Sequence, residues 1–366
     1  MRVLLKLKQT SFLSLILICL GLFQSLQTVK GDYLGLNPQG MPIYTVDLDL
    51  PPRERFKETA IVFKEHYFVI ERLYMGYLTP VMRAVIHMFA DVFWIVHPTY
   101  WEEIKGMAEA IEGKETLVLL IQYVYELSAF CTSTIAYDST GLIHHGRNLD
   151  YPFPQLMRNL AYEAHFIKDK RILYKAVMFG VTNGVSVGQR NGFTISINQR
   201  SPTKMKSKTN QFVNMANMFM SNNKPTLVIR EALENCTNYE CALNVLATTP
   251  QIAPSYYAIS GNETYQGAII TRDRFSVAHI DTLSKERWYI NQNNDDHWTG
   301  ICTQRCLYVN ERLQSIGRHA FKGSDLVEIL SEWPANNKET IHHLYSVNSH
   351  GTFDPYYLEN DKEAIM

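Results

Sequence analysis

Residues 131–150 read "CTSTIAYDSTGLIHHGRNLD", and this pattern predicts a β-hairpin. β-Branched and apolar residues alternate with polar ones on both sides of Asp138-Ser139-Thr140-Gly141, a composition typical of a four-residue loop between antiparallel strands. We expect Tyr137 to pair with Leu142 across this loop. That single pair fixes the register of the whole hairpin, because antiparallel strands pair residue by residue.

The predicted register places reactive side chains at the open end of the hairpin. Cys131 lies opposite Asn148, and Arg147 and Asp150 come beside it, because opposed and diagonal residues have Cβ atoms about 5 Å and about 7–8 Å apart. A nearby arginine stabilises a thiolate, which is the reactive form of cysteine. A carboxylate can orient an amine or a protonated base. The alternative is a surface ion pair beside a buried structural cysteine.

Further strands follow the hairpin and give the chain an α+β pattern. The segments "AVMFGVTNGVSVG", "GFTISINQ", "YYAIS", "QGAIITRD", "FSVAHID" and "RWYINQN" read as strands. Helices are predicted at about 226–234, 239–247 and 325–331. Because strands dominate and the helices are separate from them in sequence, we expect mainly antiparallel sheets.

The region before Cys131 is different, since residues 32–130 read as helical and unusually apolar. Aromatic and aliphatic side chains recur at three- and four-residue spacing over 59–98, and another helix is expected at 100–111. Charged residues interrupt each apolar run, so no segment here is expected to span a bilayer. These helices either form core or present a face to lipid or to an apolar substrate channel.

The first 31 residues have the layout of a secretory signal peptide. Arg2, Lys6 and Lys8 precede an apolar run at 12–23 that is shorter than the roughly 20 residues of a membrane span. An uncleaved signal anchor is the alternative. Two glycosylation sequons, at Asn235 and Asn262, also favour the secretory route. A net charge of −1 without a basic arm gives no reason to expect a nucleic-acid partner.

Removal of the signal would leave five cysteines. Four of them form two close couples, Cys236 with Cys241 and Cys302 with Cys306, which we expect to be disulfides although three connectivities exist. Neither couple has the C-x2-C spacing typical of zinc, and we expect neither a metal nor a cofactor. Cys131 is then the cysteine outside the pairs.

The stretch "YELSAFCTSTIAYDSTGLIHHGRNLDYPF" (Tyr125–Phe153) resembles the subunit junction of the N-acylethanolamine acid amidase and acid ceramidase family, which are lysosomal N-terminal-nucleophile hydrolases. The Cys-Thr-Ser start and the His-Gly-Arg-Asn-x-Asp signature carry the resemblance. Further similar motifs are "VDLDLPPRERF", "APSYYAISG", "GAIITRDR" and "NDDHW". The resemblance implies an αββα sandwich of antiparallel sheets, preceded by a helical segment.

The resemblance also implies self-processing. The bond between Phe130 and Cys131 would be cut, giving a helical α-subunit of residues 32–130 and a catalytic β-subunit of residues 131–366. The new α-amine of Cys131 would act as the base for its own thiol. An α-amine has a pKa near 8, which is closer to neutrality than that of a lysine.

Four residues match the family's catalytic positions. Cys131 matches the nucleophile, and Arg147 matches the arginine that orients the substrate carbonyl. Asp150 matches the acid that hydrogen-bonds the α-amine, and Asn294 matches the asparagine that donates into the oxyanion hole.

Two departures from the family pattern concern supporting positions. Gln199 stands where the family has a glutamate, and a glutamine carries no charge. "CTQR" (Cys302–Arg305) replaces the family's Asp-Asp-Arg-Arg, so that Arg305 alone keeps its final position.

These observations predict a lysosomal or secreted amidase that releases a fatty acid from a lipid amide. Fatty acid ethanolamides are expected ahead of ceramides, with the acyl chain in an apolar channel near the helical segment and with peripheral membrane contact. A catalytically weak lipid-binding relative is the non-enzymatic alternative, motivated by Gln199. A papain-like protease fits poorly, because Cys131 begins a strand and the C-G-[SA]-C-[WY] signature is absent.

Overall fold

A computed structural model describes residues 33–75, 93–122, 130–200 and 223–358 as two β-sheets packed face to face. The nine-stranded sheet has the order β1-β2-β5-β6-β7-β8-β9-β10-β11, and the five-stranded sheet has the order β12-β3-β4-β13-β14. The strands are β1 (Tyr33–Leu36), β2 (Pro42–Asp47), β3 (Phe130–Tyr137), β4 (Ile143–Asp150), β5 (Ala161–Lys168), β6 (Arg171–Phe179), β7 (Val187–Arg190), β8 (Phe193–Gln199), β9 (Ser255–Gly261), β10 (Gly267–Arg272), β11 (Val277–Thr282), β12 (Tyr289–Gln292), β13 (Thr340–Val347) and β14 (Thr352–Tyr356).

Helices cover the outer faces of both sheets. They are α1 (Lys57–Val62), α2 (Lys64–Met75), α3 (Pro98–Ile111), α4 (Glu115–Ile121), α5 (Pro154–Leu160), α6 (Pro225–Asn235), α7 (Tyr239–Thr248), α8 (Gln304–Ile316) and α9 (Gly323–Ser331). Helices α6 and α7 pack on the nine-stranded sheet, and α8 and α9 pack on the five-stranded sheet. The predicted αββα sandwich is therefore confirmed. Among the described residues, no helix combines the length and apolarity that crossing a bilayer requires.

The hairpin forms as predicted, but its register is shifted by one residue. Tyr137 pairs with Ile143 rather than with Leu142, so Cys131 lies opposite Leu149 rather than opposite Asn148. The side chain of Asp138 accepts hydrogen bonds from the backbone N–H groups of Thr140 and Leu142, at 2.8 and 3.1 Å. Five residues, 138–142, therefore lie between the paired ends of the strands, and Gly141 among them has its φ in the left-handed region.

The expectation that residues 32–130 are helical throughout is wrong at their start. β1 and β2 precede the helices, and β2 pairs in parallel with β5 in the nine-stranded sheet. Tyr44 and Val46 are buried while their neighbours are less so, which is the alternation of a half-buried strand. The first strands of the sheet thus come from the segment before Cys131.

The remaining elements agree with the sequence in part. The helices predicted at 100–111, 226–234, 239–247 and 325–331 are confirmed as α3, α6, α7 and α9, with shifts of one or two residues at some ends. Helices α5 and α8 and strands β5, β13 and β14 were not predicted. The expected signal peptide and much of the aromatic helical segment at 59–98 lie outside the described residues.

Both predicted disulfides are present. Cys236 is bonded to Cys241 and Cys302 to Cys306, and Cys131 lies outside both. The second bond closes the first turn of α8, where Thr303 accepts a hydrogen bond from the N–H of Cys306. It therefore fixes the start of the helix that carries Arg305.

Candidate active site

Cys131 lies on β3, between the two sheets, and is fully buried. The guanidinium of Arg147 on β4 reaches the cysteine Sγ at 3.5 Å and also donates to the carbonyl of Ile197 on β8, at 2.7 Å. In an antiparallel pair, Arg147 is the diagonal neighbour of Cys131 on the same face. A fully buried positive charge beside the sulfur stabilises its thiolate form.

Two consecutive asparagines hold the backbone of Cys131. Its N–H donates to Oδ1 of Asn294 at 2.9 Å. Nδ2 of Asn293 donates to Oγ1 of Thr132 at 2.8 Å and reaches the Cys131 carbonyl at 3.5 Å. Nδ2 of Asn294 donates to the backbone carbonyl of Gln199 at 2.8 Å. The loop after β12 therefore positions the nucleophile candidate from its backbone side.

Arg305 connects Asn294 with Asp150. Its guanidinium forms an ion pair with Oδ2 of Asp150 and donates to Oδ1 of Asn294 at 3.2 Å. Asp150 also accepts from Oγ1 of Thr340 at 2.7 Å and from Nδ2 of Asn337 at 2.9 Å. Burial raises the pKa of Asp150, while Arg305 opposes that rise. The carboxyl is thus held by three donors in a place that disfavours its charge.

Asp150 and Arg147 lie on opposite faces of β4, because side chains alternate along a strand. Asp150 pairs with Phe130 in the ladder, one position beyond Cys131. In the intact chain the carboxylate therefore contacts Arg305, Thr340 and Asn337, and the structure does not bring it into a hydrogen bond with the Cys131 nitrogen. Its role at the α-amine remains a prediction about the cleaved form.

Gln199 lies at the end of β8 and is partly buried. Its backbone carbonyl, and not the amide that distinguishes it from glutamate, accepts the hydrogen bond from Asn294. The substitution relative to the family pattern therefore leaves this contact intact.

Two neutral histidines, His145 and His342, lie near Arg147, and a third, His343, lies on the opposite face of the sheet. His145 lies within 2.8 Å of the Ser196 hydroxyl and 3.0 Å of the Ser260 hydroxyl, which join the two sheets. Burial, together with the charge of Arg147, lowers the pKa of His145 and His342 to about 3. Burial, with Arg158, lowers that of His343 to about 3 as well. Of Arg147 and these three histidines, only Arg147 therefore carries a positive charge.

Sequence reasoning missed Asn293, Asn337 and Thr340. Asn293 had a signal, because it directly precedes Asn294 in "NQNND". Asn337 and Thr340 lie 187 and 190 residues from Asp150, and only the pairing of β13 with β4 brings them close.

A narrow apolar cavity of about 60 Å³ adjoins the site. Its walls include Leu149, which pairs with Cys131 in the hairpin, together with Tyr67 and Ile70 of α2 and Ile121 of α4. The cavity is thus lined by both segments of the chain. Ligand pockets usually measure about 300–1,000 Å³, so an acyl chain requires these walls to move apart.

The two sequon asparagines are both exposed. Asn235 ends α6 and Asn262 follows β9. Their positions are compatible with glycosylation, which remains a prediction.

Comparison with known proteins identifies similar chains over most of the sequence. The mouse N-acylethanolamine-hydrolyzing acid amidase is 30% identical, with 87% of this chain and 89% of the relative covered. Bovine acid ceramidase is 27% identical, with 86% of each chain covered. A solved structure of the Caenorhabditis elegans N-acylethanolamine-hydrolyzing acid amidase ortholog is 29% identical, with a TM-score of 0.55, and covers 64% of this chain and 97% of its own. No protein-family model matches the chain.

Proposed function

The chain belongs to the family of the N-acylethanolamine-hydrolyzing acid amidases and acid ceramidases, and we propose that it hydrolyses fatty acid ethanolamides with Cys131 as an N-terminal nucleophile. The observation that carries this proposal is the arrangement around Cys131. A fully buried thiol lies 3.5 Å from a guanidinium, and its own backbone nitrogen is held by Asn294. An amide hydrolase of this type needs both the sulfur and that nitrogen.

The first step is cleavage of the chain by its own cysteine. Sγ of Cys131 attacks the carbonyl carbon of Phe130, and the peptide nitrogen leaves as the α-amine of Cys131, which takes up a proton. The resulting thioester between Phe130 and Sγ is hydrolysed by water to a carboxylate and the thiol. One water is consumed, and the products are a segment ending at Phe130 and a segment beginning at Cys131.

The same residues then act in turnover. The α-amine accepts the thiol proton, the thiolate attacks the amide carbonyl of the substrate, and the amine returns the proton to the leaving nitrogen. Water hydrolyses the acyl-enzyme thioester to release the fatty acid. The position of Asn294 against the Cys131 nitrogen at 2.9 Å supports a role in orienting the amine.

Stabilisation of the oxyanion is assigned to donors near Sγ. Arg147 provides a fixed positive charge within reach of a carbonyl bound there. Nδ2 of Asn294 donates to the Gln199 carbonyl in the intact chain, so this amide must exchange partners to serve as a donor for the substrate. One such donor contributes about 3 kcal/mol to lowering the barrier.

The apolar cavity supports a lipid acyl chain as the acid part of the substrate. It lies between the segments before and after Phe130 and is walled by Leu149, the pairing partner of Cys131. Separation of the chain ends after cleavage gives the walls the freedom to move. An ethanolamine leaving group is placed ahead of sphingosine because the amidase relatives are slightly more similar, at 30% against 27% identity.

The cell biology of the proposal follows from the sequence. The signal-like first 31 residues and the exposed sequons support a lysosomal or secreted glycoprotein that works as a heterodimer of residues 32–130 and 131–366. Peripheral contact with membranes would deliver the lipid substrate. Flotation of processed protein with anionic vesicles tests this point, and protein that never co-floats would exclude it.

N-terminal sequencing and a fluorogenic fatty amide assay at acid pH test the central proposal together. Wild type should yield a fragment that begins at Cys131, and Cys131→Ala should remain whole and lose about 10⁵-fold or more in turnover. Ser139→Ala, in the loop of the same hairpin, is the matched control and should behave as wild type. A different mature N-terminus, or turnover that survives Cys131→Ala, would exclude the mechanism.

Substrate preference needs its own comparison. Processed protein should release fatty acid from an ethanolamide faster than from a ceramide of the same acyl chain. The opposite order would assign an acid ceramidase activity. Binding of both lipids without processing or turnover would assign a lipid-binding protein.

A further inference from the structure

Three side chains at the edge of the nine-stranded sheet form a compact group. His279 and Asp281 are two residues apart on β11, the edge strand of the nine-stranded sheet, and therefore point to the same face. His297 comes from the short 3₁₀ helix His297–Thr299 that follows the Asn293–Asn294 loop. Their nitrogen and oxygen atoms all lie within 4.8 Å of one another.

The His279–Asp281 distance is that of two ligands on one cation, whereas His297 contacts the carboxylate more closely, and its ring must move outward to admit an ion. Nε2 of His279 lies 3.4 Å from Oδ2 of Asp281, and Nε2 of His297 contacts the same oxygen. Two ligands of a tetrahedral zinc ion, each about 2.0–2.2 Å from the metal, are about 3.3–3.6 Å apart. Asp281 is buried, and its Oδ2 faces the Nε2 atoms of both histidines.

Neighbouring groups orient the three ligands. Nδ1 of His297 lies 2.7 Å from Oε1 of Gln292, an acceptor that places the ring hydrogen on Nδ1 and leaves the Nε2 lone pair for a metal. Arg287 pairs with the other oxygen of Asp281, Oδ1. The ring of Trp298 stacks on His279 at 4.6 Å between centroids. These contacts are the supporting shell that metal-binding imidazoles and carboxylates usually have.

We propose that His279, Asp281 and His297 bind one divalent transition-metal ion, for which zinc is the best match. Two imidazoles and a carboxylate are a donor set that zinc prefers, and magnesium and calcium prefer oxygen alone. Both histidine side chains are partly exposed, at 37% and 25%, so water can enter and complete the coordination.

The ion would have a structural role in this position. It would tie the edge strand β11 to the loop that begins at Gln292 and carries Asn293 and Asn294. Gln292 is the last residue of β12, which pairs with β3, and it also accepts from Asn198 through its backbone carbonyl at 2.8 Å. The metal would therefore support the backbone that holds Cys131 without touching the sulfur.

Metal content and affinity test the proposal on the purified protein, with both segments present. Protein stripped with a chelator and dialysed should bind one zinc per chain in a competition titration with a chromophoric chelator. His279→Ala and His297→Ala should each weaken zinc binding about 100-fold or more, and Gln292→Ala should weaken it about tenfold to 100-fold. His319→Ala, which replaces an exposed histidine elsewhere, is the matched control and should leave the affinity unchanged.

Cobalt and the active-site cysteine complete the test. Cobalt bound at the site should show the visible absorption of a tetrahedral complex without a thiolate charge-transfer band, and Cys131→Ala should bind zinc as wild type does. Wild type that binds no zinc, or that binds it equally well after His279→Ala, would overturn the proposal. So would zinc binding that is lost with Cys131 and kept without His279, because the ion would then belong to the thiol.

Discussion

Two buried ion pairs, Glu103–Arg230 and Asp150–Arg305, are built differently and stabilise different parts of the molecule. Arg230 binds both oxygens of Glu103, at 2.6 and 2.7 Å, and both side chains are fully buried. Arg305 binds Asp150 from the edge of the site and is 16% exposed. The first pair joins α3, before the Phe130–Cys131 bond, to α6 after it. The second lies beside that bond.

The surroundings of the two pairs sharpen the difference. Glu103 also accepts from Arg55 and Asn183, and Arg230 lies over the rings of Phe56 and Tyr100. Each member of this pair therefore has partners besides the other member. Asp150 in contrast sits where burial raises its pKa and where its cationic partner can leave toward solvent. The comparison indicates that one pair serves assembly of the two segments, and the other keeps a carboxyl ready to change its proton or its partner.

Arg230→Ala should have the largest effect on stability, a loss of about 3–5 kcal/mol, because it leaves a buried carboxylate without its main partner. Urea unfolding of the Cys131→Ala precursor measures this on one covalent chain. Arg171→Ala, at an exposed position on β6, should change stability by less than about 0.5 kcal/mol. The double variant Arg230→Met with Glu103→Met should recover much of the lost stability, because neither charge is then left unpaired. If the double variant were as unstable as Arg230→Ala, an unpaired buried charge would not be the cause of the loss.

Asp150→Asn should separate catalysis from stability. We expect self-cleavage to slow about 100-fold, which is about 2.7 kcal/mol in the barrier. The stability should change by less than about 1 kcal/mol, since a neutral amide avoids the cost of the buried charge. Time courses of precursor conversion on denaturing gels, with urea unfolding, measure both quantities. Asp169→Asn, in an exposed turn, is the control and should change neither the rate of self-cleavage nor the stability. If Asp150→Asn lowered the stability by as much free energy as it raised the cleavage barrier, the Asp150–Arg305 pair would not differ from the Glu103–Arg230 pair.

Three buried histidines of the five-stranded sheet should make the fold sensitive to acid. The pKa of His145, His342 and His343 is about 3 in the folded chain and near 6.5 when unfolded. The unfolded chain therefore binds more protons between these values, and stability falls as the pH falls from 6.5 toward 3, by about 1.4 kcal/mol per pH unit for each histidine. Asp150, whose pKa is raised, contributes in the opposite sense and loses stability as the pH rises through its folded pKa.

Replacement of one histidine isolates this effect. His343→Asn should reduce the slope of unfolding free energy against pH by about one proton between pH 4 and 6. Exposed His319→Asn should leave the slope unchanged. Urea titrations at half-unit pH steps give the slope, and an unaltered slope in His343→Asn would mean that this histidine is charged in the folded chain.

Gln199→Glu should have the smallest effect, less than about tenfold on the rate of self-cleavage. The backbone carbonyl of this residue holds Asn294, and any side chain at the position preserves that contact. The glutamate should add a pH dependence near its own titration, around pH 4.3. Gln199→Ala is the control and should also remain within tenfold. A 100-fold change in either variant would assign the side chain a direct part in the reaction.

The hairpin shows what the sequence could and could not reveal. Alternation predicted β3 and β4, but only the observed register places Arg147 diagonally from Cys131 on the same face, because the predicted register puts Arg147 opposite Thr132. The one-residue shift arises from side-chain hydrogen bonds of Asp138 inside the loop, and hydrophobic alternation contains no information about such bonds. The shift decides which face Asp150 occupies, and its surroundings were therefore misjudged.

Sequence patterns could not predict contacts between residues that are far apart in the chain. Arg305 is 155 residues from Asp150, and it reaches the carboxylate because α8 packs beside the sheet and a local disulfide fixes its first turn. The spacing of the cysteines predicted that disulfide, but it could not predict that Asp150 lies next to the helix the disulfide fixes. In β2, the alternation of "PIYTVD" was visible, but the aromatic-rich helices that follow dominated the interpretation of the whole segment.

The parallel pairing of β2 with β5 has a consequence for biosynthesis. If the Phe130–Cys131 bond is cut as proposed, β2 becomes a strand donated in trans, and its partner β5 would present an unprotected sheet edge in a β-subunit made alone. While the chain is whole, the tether supplies this strand at a high effective concentration. The uncut precursor would then act as an intramolecular chaperone, and separately produced subunits would aggregate before they could find one another.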